Sequence, residues 1–495
     1  MDEFTPNLLS RKDSIYGIIE FLTLAKLVQI QYLNKDFFNK VIPNMTKRIY
    51  WRKPSGKEEY TQPVNIKNDE FRKVYYSRFK NIISLGLFEI EIDENFLKTF
   101  KIVVENNYQN LEVLELFYIS FKNEELANEF LKLVLCLNNI TKLEINNNLS
   151  LPFQTYFSDH LLKETSFFMN LKFLSFHYID FIQIEKLLYS CEKLESLHLT
   201  SSKLSIEENF NKFIEYLNCS RLINISFQFE DFEQTKSKQF LSSLRQSNHL
   251  RTLVFDNCNF NGLEGLKYNS DLFSNNLHLS KISVINSKNI MEFLIHLINP
   301  QSLEKIQLSS CYINDNLLEI FSNSLIGCKF LHSIDLGHNK FTYSGLKYLL
   351  TKLESEILST LIDINLAGNK GIENEGLSTL VHYLINIPTI SLKKINLTNC
   401  GIDMNISQEL ISYFIYTMLF KNSSFELILL RNSPNKISDI QVFINKFGGK
   451  INSLNLSNVK GSINLYAFKL DYKKIDSPTI EMIDSLRVKH GIILN

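Results

Sequence analysis

The chain of 495 residues carries 53 basic and 53 acidic side chains, and 44% of it is hydrophobic. That balance excludes a global field for nucleic acid or an anionic membrane, and the apolar share excludes a disordered chain. Length alone suggests several domains, a prior that repeat proteins break because stacked units share one elongated core. Seven cysteines, none in a C-x-x-C pair, point to reduced thiols and a cytoplasmic protein. The opening MDEFTPNLLSRKD lacks the basic region and apolar run of a secretory leader, and no run of about 18 apolar residues predicts a membrane span.

In chain order, residues 1–43 come first. Between 15 and 42 the apolar positions are spaced as in helices, but are too dense for one amphipathic helix. Two or three short packed helices are predicted, with Thr23 capping the second and Pro43 ending the last. The order of features is a helix ending in Phe21-Leu22, a short break, L-x-x-I-x-x-L-N-K from Leu27, then Phe37-Phe38 and a final apolar turn. This block resembles a degenerate F-box, although Asp13-Ser14-Ile15-Tyr16 stands where an F-box usually opens with Leu-Pro. The resemblance implies docking onto the linker subunit of a cullin-based ubiquitin ligase, with Ile18, Ile19, Leu22, Leu27, Ile30 and Leu33 forming or supporting the docking face. The competing reading makes these helices the cap that every repeat array needs at its exposed end.

Residues 44–80 are the one locally charged region, with ten Lys/Arg against four acids and interleaved aromatics from Tyr50 to Phe79. Such a stretch can bind RNA, but is expected here to be a linker or N-terminal cap with a solvated helix at 69–80.

Residues 81–464 repeat. The clearest unit is LHSIDLGHNKF from Leu331, and its spacing recurs at Leu250, Leu303, Leu361 and Leu392. Weaker copies begin at Ile82, Leu111, Ile140, Leu171, Leu194, Leu222, Leu279, Phe425 and Ile451, a mean step of about 28 residues. The L-x-x-L-x-L core alternates as a short strand must. In most of the better copies Asn, Cys or Ser stands three residues after the last Leu, a small polar side chain able to satisfy a buried turn. Amphipathic segments such as 344–354 and 375–388 predict helices between strands. The pattern resembles the leucine-rich repeat, and the helix openings Ser344-Gly345-Leu346 and Glu375-Gly376-Leu377 resemble its ribonuclease-inhibitor-like subclass. The resemblance implies an α/β fold: a repeat solenoid or horseshoe of about fourteen units, parallel strands on the concave face and helices on the convex one. A small all-α module precedes it and residues 465–495 form a C-terminal cap. The 171→194 and 279→303 steps are expected to be too short for a full helix.

In such a fold the outward strand positions bring Phe88, Glu115, Phe117, Glu144, Phe173, His177 and His198 to the concave face, with Tyr118 and Tyr178 beside them. Aromatics mixed with acids are what protein-binding hot spots contain, although strands favour Phe and Tyr for their own reasons. No phosphate loop, nucleophile elbow, H-E-x-x-H or dinucleotide loop is present, so no catalytic residue, cofactor or metal is expected. His177 and His198, in neighbouring repeats, read as a solvated pair. Cys258, Cys311 and Cys400 occupy the Asn-type turn position.

The expected function is non-catalytic protein recognition, most concretely as an F-box-type substrate-recognition subunit of a ubiquitin ligase. The expected partners are a protein on the concave face and the linker subunit at residues 1–43, with neither membrane nor nucleic acid. The alternative is a structural subunit of a large assembly such as the ciliary axoneme or cytoskeleton. A small-GTPase regulator ranks below both, because those carry a long acidic tail and this sequence ends SLRVKHGIILN.

Overall fold

The computed structural model describes residues 48–52, 81–146, 169–260, 278–298, 301–353, 355–387, 391–403, 425–428 and 463–466. The chain divides into two compact units, Met1–Leu222 and Ile223–Asn495. Each is an α/β leucine-rich-repeat solenoid, with a main parallel sheet, a separate two-stranded parallel pair and helices connecting the strands.

In the first unit the strands Arg48–Arg52, Ser84–Phe88, Val113–Phe117, Lys142–Asn146, Phe173–His177 and Ser196–Thr200 pair in that order, all parallel. Alternation sets the faces: Leu114 and Leu116 are fully buried while Val113, Glu115 and Phe117 between them are partly open. Helices Glu94–Asn107, Glu124–Leu135, Phe181–Ser190 and Glu207–Cys219 carry the chain between strands. Asp93 and Asn123 cap the first two by accepting from the backbone N–H of Phe96 (2.7 Å) and Leu126 (2.9 Å).

In the second unit the strands run from Asn224–Gln228 through Thr252–Asp256, Lys281–Ile285, Lys305–Ser309, Ser333–Asp335, Asp363–Asn365 and Lys394–Asn396 to Phe425–Ile428 and Ile463–Tyr466. Many of the chain's 38 phenylalanines serve the core. Phe227, Phe232, Phe240, Phe255 and Phe260 are fully buried and pack ring on ring, Phe232–Phe260 stacked at 5.0 Å and Phe227–Phe255 at 5.5 Å. Burying each ring contributes about 2–3 kcal/mol, with an edge or stacking bonus on top.

One to three positions past most described strands a residue turns left-handed. In the first unit these are Glu89, Tyr118, Tyr178 and Ser201; in the second, Phe229, Asn257, Asn286, Ser310, His338, Gly368 and Asn399, with φ between 49° and 79°. The turn keeps the backbone N–H aimed along the ladder: Glu89 N donates to Phe117 O at 2.8 Å, Tyr178 N to Thr200 O at 2.7 Å, Ser310 N to Gly337 O at 2.9 Å. One residue later comes the predicted polar turn position, and the second unit bears that expectation out at Cys258, Ser287, Cys311, Asn339, Asn369 and Cys400, while Glu230 stands there in its first repeat. The Asn339 amide donates to the carbonyls of Leu308 (2.7 Å) and Leu336 (2.9 Å) and accepts from the N–H of Cys311 (2.9 Å) and Ile313 (3.1 Å). Asn369 repeats the pattern, accepting from Asn339 N at 3.0 Å and donating to Leu336 O and Leu366 O. The thiols of Cys311 and Cys400 donate to Val284 O and Leu366 O. In the first unit Ile90, Ile119 and Ile179 hold this position instead and Ser202 keeps the polar pattern, all four buried.

Several expectations change. Arg48–Arg52, inside the stretch read as a linker or cap, is a sheet strand: Trp51 lies opposite Leu87, is buried, and meets Phe96 edge-on at 5.4 Å. Its alternation is apolar without the Leu pattern, so the repeat search passes over it. The 171→194 unit holds a ten-residue helix, Phe181–Ser190, because the connection shortens and the helix does not; the 279→303 unit keeps only Met291–Leu294. The copy read from Phe425 is one residue out of register, since Ile395 pairs with Leu427 and Leu427 is buried. That slip moves the predicted outward position from Leu429 to Ile428, which pairs with Asn396. The strand that pairs with Phe425–Ile428 is Ile463–Tyr466, and the copy expected at Ile451 lies outside the described residues, as do the helical block 1–43, the helix at 69–80 and the cap 465–495. The predicted Gly-Leu helix opening has a steric reason: a Cβ on Gly345 would overlap the Asp315 carboxylate, which accepts from Thr342 N and Oγ1, both at 2.7 Å.

Asn339→Leu keeps the branching at Cγ but is bulkier and strands two buried N–H and two buried carbonyl groups, so it is expected to lower stability by roughly 2–4 kcal/mol in urea unfolding. Cys311→Ala, which removes only weak thiol donors, is expected to cost under about half of that.

Candidate functional site

Parallel register lines the first unit's open sheet face with three columns. The middle one reads Gly86, Glu115, Glu144, Ser175 and His198, and the column at the strands' C-terminal end reads Phe88, Phe117, Asn146, His177 and Thr200. Every concave-face residue predicted from sequence is therefore on this face or on its rim.

Four of them form one row. Phe88 and Phe117 stack with centroids 4.9 Å apart and planes 12° apart. His177 reaches the other side of Phe117 at 5.9 Å, and His198 lies 5.5 Å beyond His177. Asn146 and Thr200 are small enough in this column to sink below it, 8% and 1% exposed.

The predicted acids do something other than face a partner freely. Lys142 Nζ lies 2.9 Å from Glu115 Oε1 and 3.2 Å from Glu144 Oε2, with its ammonium 5.2 Å from the Phe173 ring centroid. His177 Nε2 lies 3.4 Å from Glu144 Oε1 and 3.1 Å from Ser175 Oγ. Burial opposes the charge on Glu144, but the His177 contact and the Lys142 ammonium outweigh it and hold the carboxyl below its ordinary 4.5. Burial likewise opposes the Lys142 ammonium, and the Glu115 hydrogen bond with the Glu144 charge raises its pKa above 10.5. Both carboxylates are thus engaged beside the ring row, Glu115 and Glu144 by the one Lys142 ammonium and Glu144 also by His177.

Two further aromatics stand on the rim. Tyr118 (φ 54°) and Tyr178 (φ 61°) occupy the left-handed turn and are each 38% exposed. Bulky residues avoid this conformation, which Asn, Ser, His and Gly fill at six of the seven such turns of the second unit.

No family model matches the chain, and no curated protein does. Among solved structures, an internalin (inlF) from Listeria monocytogenes aligns with 65% of this chain and 88% of its own, at 13% identity and a TM-score of 0.31. A chain of the Rad7 and Elc1 complex in yeast aligns with 69% of this chain and 86% of its own, at 14% identity and a TM-score of 0.33. At these scores neither likeness bears on function.

Elsewhere, Cys258, Cys311 and Cys400 are buried and their thiols are pushed up to about 12, chiefly by desolvation, which leaves them protonated and unreactive at neutral pH. No cluster of three or more His, Cys, Asp or Glu suited to a metal ion occurs among the described residues, and none of their helices is long and apolar enough to cross a membrane. The F-box-like residues Ile18 to Leu33 lie outside the described residues. Sequence reasoning missed Lys142, the hub of the charge network. Its signal was available: a cation two residues before Glu144 on the same strand face, one register step from the Glu115 strand.

Glu144 has its pKa depressed on folding, so its contribution is present above the ordinary carboxylate value and vanishes as pH falls through the folded one. Glu144→Gln should therefore lower the urea midpoint at pH 7, and the difference from wild type should close at acid pH. Lys142, raised on folding, stabilises below its ordinary value, and its share is lost only as pH climbs through the folded pKa.

Proposed function

We propose that this chain is a non-catalytic protein-recognition subunit whose contact surface is the Phe88–Phe117–His177–His198 row with the rim tyrosines Tyr118 and Tyr178. The observation that carries this reading is the row itself: four rings in contact across five neighbouring strands of an open face, beside acids already engaged by Lys142. Aromatic groups on a rigid sheet lose little entropy on binding, and desolvating them is favourable where desolvating an unpaired charge is not. The rim tyrosines support the same reading, because exposed rings kept in a costly backbone conformation gain nothing for the fold by being large.

The more specific form of the proposal makes the chain a substrate-recognition subunit of a ubiquitin ligase. The F-box-like block 1–43, through Ile18, Ile19, Leu22, Leu27, Ile30 and Leu33, docks the linker subunit while the ring row holds the substrate. Affinity purification of the full chain should then recover linker and cullin, and deletion of 1–43 should lose both while substrate capture persists. A fixed subunit of a large assembly gives the opposite result, with the same companions whether or not 1–43 is present.

The recognition surface is tested separately. Phe88→Ala with Phe117→Ala should abolish substrate capture, a loss of at least about 2 kcal/mol in binding. Tyr178→Asn should separate stability from function: the urea midpoint should hold or rise, because Asn accepts the left-handed turn, while capture weakens. Capture undiminished in both variants sinks the surface whatever happens to the ligase subunits.

A further inference from the structure

The second unit carries an exposed cationic feature that the ring row of the first does not use. Two residues past the left-handed turn, three consecutive repeats place Lys288, Tyr312 and Lys340. The backbone fixes their neighbourhood: Asn259 bridges to Lys288 in parallel, and Lys340 N donates to Ile313 O at 2.8 Å. Both ammonium groups come to one ring, Lys340 Nζ at 4.9 Å and Lys288 Nζ at 5.8 Å from the Tyr312 centroid. Tyr312 is 51% exposed and, at φ 59°, is another bulky residue in the left-handed region. Exposed lysines of the first unit, such as Lys101, Lys172 and Lys203, pair with carboxylates. Lys288 and Lys340 have no carboxylate partner among the described residues, and the turn residues between their repeats, Asn286, Ser310, His338, carry none. Lys370 continues the column in the next repeat, also exposed.

Two like charges gathered on one ring repel each other, and the ring quadrupole offsets only part of that. An anion settling between them reverses the sign of the interaction, and a dianion matches two ammoniums where a single carboxylate matches one. We propose that Lys288, Tyr312 and Lys340 form a docking site for a phosphorylated side chain in an extended segment of a partner protein: the lysines hold the phosphoryl oxygens and the ring packs against the neighbouring apolar atoms. A nucleic-acid strand is the poorer occupant. It needs many basic contacts in series along its backbone, whereas this column spans a few repeats on a chain of zero net charge.

The test is fluorescence anisotropy of the full chain with a short labelled Gly/Ala/Ser peptide bearing one phosphoserine, its unphosphorylated twin, and a labelled oligo(dT). The phosphopeptide should bind and the twin should not. Lys288→Ala with Lys340→Ala should cut the affinity at least about tenfold, Tyr312→Ala should weaken it, and Tyr312→Phe should preserve it. Lys172→Ala, and the paired alanines at Phe88 and Phe117, should leave it unchanged. All the substituted lysines are exposed, so circular dichroism and the urea midpoint should match wild type. The proposal is overturned by equal binding of the twin, by no phosphopeptide binding, or by full affinity in the double lysine variant. Oligo(dT) bound in preference to the phosphopeptide, and released by the same lysine changes, overturns it too.

Discussion

Everything in this molecule hangs on how the chain leaves each strand. A parallel stack must turn away from the sheet at once while its neighbours stay paired, and the turn is buried, so its backbone polar groups have no water to fall back on. Left-handed backbone just past the strand solves half of this by keeping one more N–H on the ladder. The next side chain solves the rest in the second unit, where the Asn339 and Asn369 amides join three successive repeats. At three such turns of the first unit isoleucines bury the same corner and leave the polar work to the backbone. With that corner secured, each strand's face is set by register alone, and a column of outward residues becomes a surface that can be specified one residue per repeat.

The two units use that freedom differently. The first gathers rings into a row and ties its two acids to Lys142. The second buries a ring cluster around Phe232, and much of its outward middle column is polar: Ser283 Oγ donates to Gln307, and Asn365 Nδ2 to Asp335. A face whose donors and acceptors already bond laterally presents little for a partner to complete. This contrast, more than aromatic content, distinguishes the two sheet faces.

Most of the fold was legible because burial writes a period-two signal into every strand and a small polar residue into most turns. Legibility failed where another side chain did the same work. Trp51 fills the core without a leucine pattern, and around Leu427 a single-residue ambiguity in an apolar run sufficed to exchange the faces. The 171→194 unit kept its helix because connection length, which is cheap to change, absorbed the deficit. At the site, the residues on the face followed from spacing, but their state did not. Glu115 and Glu144 looked like free acids until the Lys142 side chain was placed between them. Nor could spacing show that Tyr118 and Tyr178 sit where the backbone prefers asparagine or glycine; only the dihedral angles do.

The central claim, that the ring row on the first unit's sheet is where a protein partner binds, is tested most directly by site-specific photocrosslinking. A benzophenone side chain replaces Phe117 in one preparation and Ile320, an exposed helix residue of the second unit, in another. The account predicts one discrete protein adduct at position 117, suppressed by excess unlabelled wild-type chain, and none at 320. Adducts at 320 alone, or the same adducts at both positions, would contradict it.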